Sequence, residues 1–204
     1  IGRLVSGSLS KGEKVETRVD KTLRMDAARN HTATHLLPKA LQEVLGDHVN
    51  QAGSLVEPDR LRFDITHFEA MTKEEISRVE AMVNEFILEA HPVTAEVMNI
   101  NEARAMGAMA LFGEKYGEEV RVVKMGDCSV ELCGGTHLDN TSQVGMFKIL
   151  SEGGVAAGVR RIEAITGRAV YQYILAKDSL INSISDIMKT REDNLVAKAN
   201  SLVD

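Results

Sequence analysis

Two short stretches of the chain hold side chains that can bind a metal. His31-Thr32-Ala33-Thr34-His35 lies near the start of an expected helix, and Cys133-Gly134-Gly135-Thr136-His137 follows about a hundred residues later in a strand-and-turn context. A helix advances about 100° per residue, so His31 and His35 fall roughly 40° apart on one face, one turn from each other. The second pair adds a thiolate and a third imidazole, and the glycines between them let the chain fold back tightly enough for both to reach one point. Such donors form a tetrahedral zinc set by type. Each pair alone also fits a plainer reading, a solvated histidine pair and an inert buried Cys133. The chain has only six His and two Cys, so the two pairs together weigh far more than either.

These residues need elements to carry them. Residues 1–20 read as two short strands, the tail of a preceding β subdomain, with turn signals at Ser6-Gly7-Ser8 and Lys11-Gly12-Glu13. The chain opens at Ile1 inside a strand-like pattern, as an excerpt from a longer polypeptide does. Asp26 is the expected N-cap of a helix that runs to Leu45 and stops at Gly46. Ala33, Leu37, Ala40, Leu41 and Val44 form its apolar stripe, and Pro38 should kink it. Strands are expected over 48–56 and 61–66, joined at Pro58-Asp59. Thr72 and Glu75 have capping-box spacing and open a second helix, which Pro92 follows. Further strands are expected over 93–98, 119–125, 129–132, 145–150 and 159–165, the last two separated by Ser151-Glu152-Gly153-Gly154. The sum is an α+β fold, one antiparallel sheet packed by two long helices around a zinc site.

Residues 168–203 read as one long helix. Ile174, Ile181, Met188, Leu195 and Leu202 recur every seven residues, while Lys177, Ile184, Arg191 and Lys198 make the second seam mostly polar. Such a helix rests on a neighbouring module or partner, including a second copy, or docks on its own domain; the pattern leaves both open. Among the other histidines, His67 falls on the apolar face of its strand, and His48 and His91 carry no specific signal.

Composition bounds the rest. The chain has 204 residues, 44% hydrophobic and 26% charged, with net charge -6. Bulk-basic nucleic-acid binding is excluded, so any RNA contact must come from a local patch. No apolar run reaches spanning length and no signal peptide opens the chain, which points to a soluble, cytoplasmic protein without a membrane partner. Cys128 and Cys133 do not form a disulfide framework, in keeping with a reducing compartment.

Four motifs in order carry a family resemblance. Residues 29–37 (Arg-Asn-His-Thr-Ala-Thr-His-Leu-Leu) resemble the first motif of the alanyl-tRNA synthetase editing domain, and Gly107 to Gly117 its middle signature. Residues 131–137 are similar to its metal motif, and 156–164 to its closing strand. The threonyl-tRNA synthetase editing domain is a poorer match, because it typically carries Arg and Pro where this chain has Gly134 and Thr136. A free-standing editing protein of the same superfamily stays open. The resemblance implies an editing domain over residues 21–167, with 168–204 leading to a C-terminal or oligomerisation domain and an ATP-dependent aminoacylation domain elsewhere in the enzyme.

It also implies the reaction, hydrolysis of the ester that joins serine or glycine to tRNA(Ala). An activation pocket rejects an added hydroxyl or a missing methyl poorly, so a second site must correct the errors. The implied cofactor is Zn2+, held by His31, His35, Cys133 and His137. Four protein donors fill a shell that a catalytic zinc usually leaves open at one place, so one ligand is outer or the metal only positions substrate. Thr34, Gln51 and Cys133 are the implied catalytic positions, with Thr34 and Gln51 in the amino-acid pocket. Plainer readings are a helical threonine bonded to its own backbone and a solvated strand glutamine. Gln51, Arg160, Arg161 and Lys115 are the candidates for substrate and acceptor-end contact. Adjacent strand residues point opposite ways, so only one of Arg160 and Arg161 can face a pocket. No carboxylate stands out as a general base; Glu131 and Glu163 are merely near in motif terms. A non-catalytic zinc module that docks the acceptor end is the alternative from another class.

Overall fold

The computed structural model describes residues 2–109 and 116–203. Two antiparallel sheets and two long helices form the body. The first helix, α1 (Lys21–Leu45), begins earlier than expected, because the Asp20 carboxylate accepts from Leu23 N at 2.9 Å and caps it. Asp26 lies inside the helix and bonds Arg29 at 2.7 Å. α1 runs unbroken through Pro38. Strands β1 (Gln51–Val56) and β2 (Leu61–Thr66) form the expected hairpin. The second helix, α2 (Lys73–Leu88), has both halves of the Thr72–Glu75 capping box.

Strand β3 (Val93–Asn99) is followed by a short helix, α3 (Ile100–Ala105), in a stretch whose form the sequence left undefined. Strands β4 (Glu119–Met125) and β5 (Ser129–Leu132) pair around Gly126-Asp127. Strands β6 (Phe147–Ala156) and β7 (Val159–Thr166) form the last hairpin. Its turn is not at Gly153-Gly154, which lie inside β6, but at Ala157-Gly158, where Gly158 takes φ +69°. Bulges let β6 pass the glycines without ending.

The seven strands divide into two sheets instead of one, ordered β1-β2-β7-β6 and β3-β4-β5. Between them α1 buries Ala33, Leu36, Leu37, Ala40 and Leu41 against Phe63 and Ile65 of β2, Val79 and Val83 of α2, and Val123 of β4. Residues 2–20 contain no strand and are exposed. The two strands expected there have no partner strand to pair with. The tail is also not one helix. α4 (Gly167–Met188) ends at Lys189, in left-handed conformation, and α5 (Leu195–Val203) follows a 3-10 turn. The seven-residue row therefore does not lie along one axis. Among the described residues no helix is long and apolar enough to cross a membrane.

A buried polar junction fixes α1 to its surroundings. The Asn30 amide donates to Glu57 O at 2.7 Å and accepts from Thr166 Oγ1 at 2.7 Å, with only 1% of the residue exposed. Unpairing buried polar groups costs about 1–3 kcal/mol each. Asn30→Ala is expected to lower the unfolding free energy by about 2–3 kcal/mol in urea denaturation; a loss below about 0.5 kcal/mol would show that the junction holds nothing in place.

Candidate metal centre

Helix α1 and the loop after β5 meet where the two donor pairs converge. One ligand atom from each of His31, His35, Cys133 and His137 lies within 4.8 Å of all the others. Cys133 Sγ is 3.5 Å from His31 Nε2 and 3.3 Å from His137 Nε2. The His31 and His137 rings stack with centroids 4.1 Å apart, and His35 meets His137 edge-on at 4.5 Å.

The loop is held from several sides. Arg121 of β4 donates to Cys133 O at 2.8 Å and to Gly135 O at 3.0 Å. Thr32 Oγ1 accepts from Leu138 N at 3.2 Å and sits 3.3 Å from His137 Nδ1. Leu138 plugs the core directly after His137, at 3% exposure. The two glycines are not equivalent. A Cβ on Gly135 would lie 2.1 Å from His31 Cε1, whereas one on Gly134 would meet nothing within 4 Å. Gly135 is needed for the close approach of an imidazole, and neither glycine takes a positive φ.

Burial keeps the imidazoles neutral. His35 is pushed down to about 3 by desolvation, then by His31 and Arg121. His137 is pushed down to about 2 by desolvation and then by His35, His31 and Arg121. His31 is also lowered, mainly by desolvation. Neutral imidazoles around a thiol are ready to bind a metal, whereas imidazolium ions would repel one. The donor types and their convergence suit zinc.

Glu131 of β5 is the residue that sequence reasoning passed over. Its Oε2 is 3.3 Å from His35 Nδ1, though His35 Nδ1 makes no hydrogen bond among the described residues. The distance is short but the angle is poor. Since His35 is neutral, the contact is not an ion pair. Ser129 Oγ donates to Glu131 Oε1 at 2.6 Å, and burial raises the carboxyl to about 7. A metal-bound histidine commonly turns its other nitrogen to a carboxylate, and Glu131 occupies that place. Glu131 also joins the centre to a cleft of about 230 Å³ lined by Pro38, Leu41, Gln42, Gln51, Phe63 and Met109.

The other expected site residues separate. Gln51 lines this cleft, its amide donating to Ser54 Oγ at 3.1 Å. Thr34 Oγ1 donates to Asn30 O at 2.8 Å, the back-bond of a helical threonine. The neighbouring Thr32 is the one that reaches the loop of His137 and Leu138. Neither Arg160 nor Arg161 lines the cleft. Arg160 binds Glu152 through two nitrogens, and Arg161 binds Asp64 with two bonds of 2.8 Å. Lys115 lies outside the described residues, as does most of the middle signature; Met109 at its start pairs beside β5 and reaches the cleft. His67 is not a core residue but stacks on His48, with His48 Nε2 3.1 Å from His67 Nδ1.

Comparison with known proteins places the same region of the chain in a family. Residues 120–163, spanning β4, β5, the loop with Cys133 and His137 and most of the last hairpin, match the family described as the threonyl and alanyl tRNA synthetase second additional domain. Along its full length the chain is similar to alanine–tRNA ligases. It is 64% identical to that of Clostridioides difficile over 204 residues and 59% identical to that of Acetivibrio thermocellus over 204. The ligase of Desulforamulus reducens is 54% identical over 99% of the chain. The chain spans 23% of the length of each of these relatives.

The buried imidazoles set a pH dependence for the metal-free chain. Unfolded histidine binds its proton near 6.5, but folded His35 and His137 do so only near 3 and 2. The unfolded state thus holds more protons between those values, and stability falls on acidification. Glu131 acts the other way between 4.5 and about 7, one carboxyl against two imidazoles. Unfolding free energy is expected to drop as pH falls from about 6.5 toward 3, and His35→Gln should flatten the slope. Equal slopes in both proteins would mean that His35 is not held neutral.

Proposed function

We propose that this chain is the editing centre of an alanyl-tRNA synthetase, hydrolysing the ester of seryl- or glycyl-tRNA(Ala) with zinc as cofactor. The observation that carries the reading is the junction at Glu131, where a three-histidine, one-cysteine cluster adjoins a small cleft with a polar amide in its wall. The similarity to alanine–tRNA ligases along the whole chain supports it. His31, His35, Cys133 and His137 would hold the zinc. When bound, it supplies Lewis-acid polarisation or activation of water. Glu131, 3.3 Å from His35 Nδ1, would orient that ring once the metal aligns the nitrogen with the carboxylate, while Arg121 and Thr32 fix the loop that carries Cys133 and His137.

Gln51 presents the amide that can read a serine hydroxyl. A pocket that hydrogen-bonds such a group discriminates better than one that measures size, because the analogue leaves polar atoms unpaired. Thr34 can take part only by releasing the Asn30 carbonyl. An open depression lined by His31, Arg24, Asp20, Pro58 and Thr136 offers a place for the acceptor end, with Arg24 as its cation. Arg160 and Arg161 would meet RNA only by exchanging their carboxylate partners. The exposed Ile187, Leu180 and Tyr171 of α4 suit contact with other domains of the synthetase or with a second copy. A structural reading has one observation in its favour: four protein donors fill a tetrahedral shell and leave no place for substrate.

Deacylation of seryl-tRNA(Ala) and alanyl-tRNA(Ala) tests the proposal. The zinc-loaded chain should hydrolyse the seryl ester and spare the alanyl ester. Gln51→His should shift the seryl-to-alanyl rate ratio several-fold, the scale of about 1 kcal/mol for one hydrogen bond, with zinc content unchanged. A folded, zinc-loaded chain that binds the tRNA without hydrolysing either ester would make this a docking module.

A further inference from the structure

We propose a second metal-binding site, built from Glu89, His91 and Cys128, for a zinc-like divalent cation. One ligand atom from each of the three lies within 4.8 Å of the other two. They come from the end of α2, the link between α2 and β3, and the turn between β4 and β5. Tetrahedral bonds of about 2.0–2.3 Å place donors roughly 3.3–3.8 Å apart, so an ion entering the group would part the Glu89–His91 hydrogen bond slightly and take its place between them and the thiol.

The backbone is shaped to bring these side chains together. Ala90, between Glu89 and His91, has φ +55°, a left-handed conformation shared among the described non-glycine residues only by Lys189. Alanine does not favour this conformation. It is held there by the Asn140 amide, which donates to Ala90 O at 2.7 Å. The next residue is held on both sides: His91 N donates to Thr141 Oγ1 at 2.9 Å and Thr141 N donates to His91 O at 2.9 Å. The bend puts His91 Nε2 2.6 Å from Glu89 Oε2. The His91 ring then rests on Gly126, where an added Cβ would lie 2.6 Å from Nδ1. A left-handed alanine and a glycine that leaves room for the ring both position one imidazole beside one carboxylate and one thiol.

Ligand chemistry sets the class of cation. Thiolate, imidazole and carboxylate together suit zinc and its neighbours, whereas magnesium and calcium take oxygen donors. A thiolate and a carboxylate balance a charge of +2. The Cys128 thiol is raised by burial and then by Glu89 and Asp127, against the smaller effect of Lys39; the same negative surroundings favour a cation. Three protein donors leave a fourth position to water, and Glu89 is exposed enough to admit it. Cys128 and Cys133 stand at opposite ends of β5, roughly 16 Å apart along a strand, so the two sites cannot share an ion. Occupancy would tie the end of α2 to the β4–β5 turn and mask Cys128.

The test uses the thiol. Cobalt(II) added to the Cys133→Ala chain, whose one remaining cysteine is Cys128, should give a thiolate-to-cobalt charge-transfer band, and His91→Ala in that background should remove it. In the unmutated chain, zinc should slow alkylation of Cys128, located by peptide mass spectrometry, by roughly tenfold or more. This second readout does not depend on how Cys133→Ala folds or on the first centre binding metal. No charge-transfer band in a folded Cys133→Ala chain, or alkylation of Cys128 at the same rate with and without zinc, would reduce the group to a Glu89–His91 hydrogen bond beside an idle thiol.

Discussion

Everything at the main centre depends on the seating of α1 against the loop after β5. His31 and Cys133 are 102 residues apart in sequence, yet their ligand atoms lie 3.5 Å from each other. No local propensity can bring them together. The contact is made by packing, with α1 sealed by Leu36, Leu37 and Leu41 at 0% exposure, and by the few polar bonds that set its register. Asn30 ties the helix to the first hairpin and to the end of β7, Thr32 to Leu138, and Arg121 fixes the loop itself. A slip of one residue along α1 would turn both histidines by about 100° and empty the centre.

The same seating controls the electrostatics. Three imidazoles gathered in a largely buried junction would repel one another if protonated, and burial holds them neutral. Arg121 adds a positive charge nearby, which disfavours imidazolium further while its hydrogen bonds go to carbonyl oxygens. Burial also raises Glu131, so the carboxyl beside His35 is near the balance between its two forms at neutral pH. A bound cation would favour the ionised form and the histidine contact with it.

The features legible in the sequence are those that local chemistry decides. The His31/His35 and Cys133/His137 spacings marked the centre, and Thr72 with Glu75 marked the start of α2, because a helix period and a capping box need no knowledge of the rest of the chain. Asp20 and Asp26 are both capping types, and only the fold shows that Asp20 is the carboxylate facing a free N–H. Gly153-Gly154 resembled a turn, but β7 pairs across it and carries β6 onward. Residues 1–20 read as two short strands, yet strands need partners. Glu131, Arg121 and Thr32 could not be ranked from sequence, because their roles come from what tertiary packing sets beside them. The glycine pair was marked for chain reversal; its actual constraint, the His31 ring against Gly135, is a long-range contact. Of the pocket candidates, Gln51 reached the cleft and Thr34 turned back to its own helix.

The central claim is that one ion is held by donors from both segments at once. X-ray absorption at the zinc edge reads this directly, on Cys128→Ser chain loaded with about one equivalent of zinc so that only the main centre can supply sulfur. The expected spectrum has one sulfur at about 2.3 Å and three nitrogens at about 2.0–2.1 Å. A spectrum of nitrogen and oxygen alone, with no sulfur neighbour, would contradict the account, because the ion would then be bound without Cys133 and the meeting of α1 with its loop would not be what holds it.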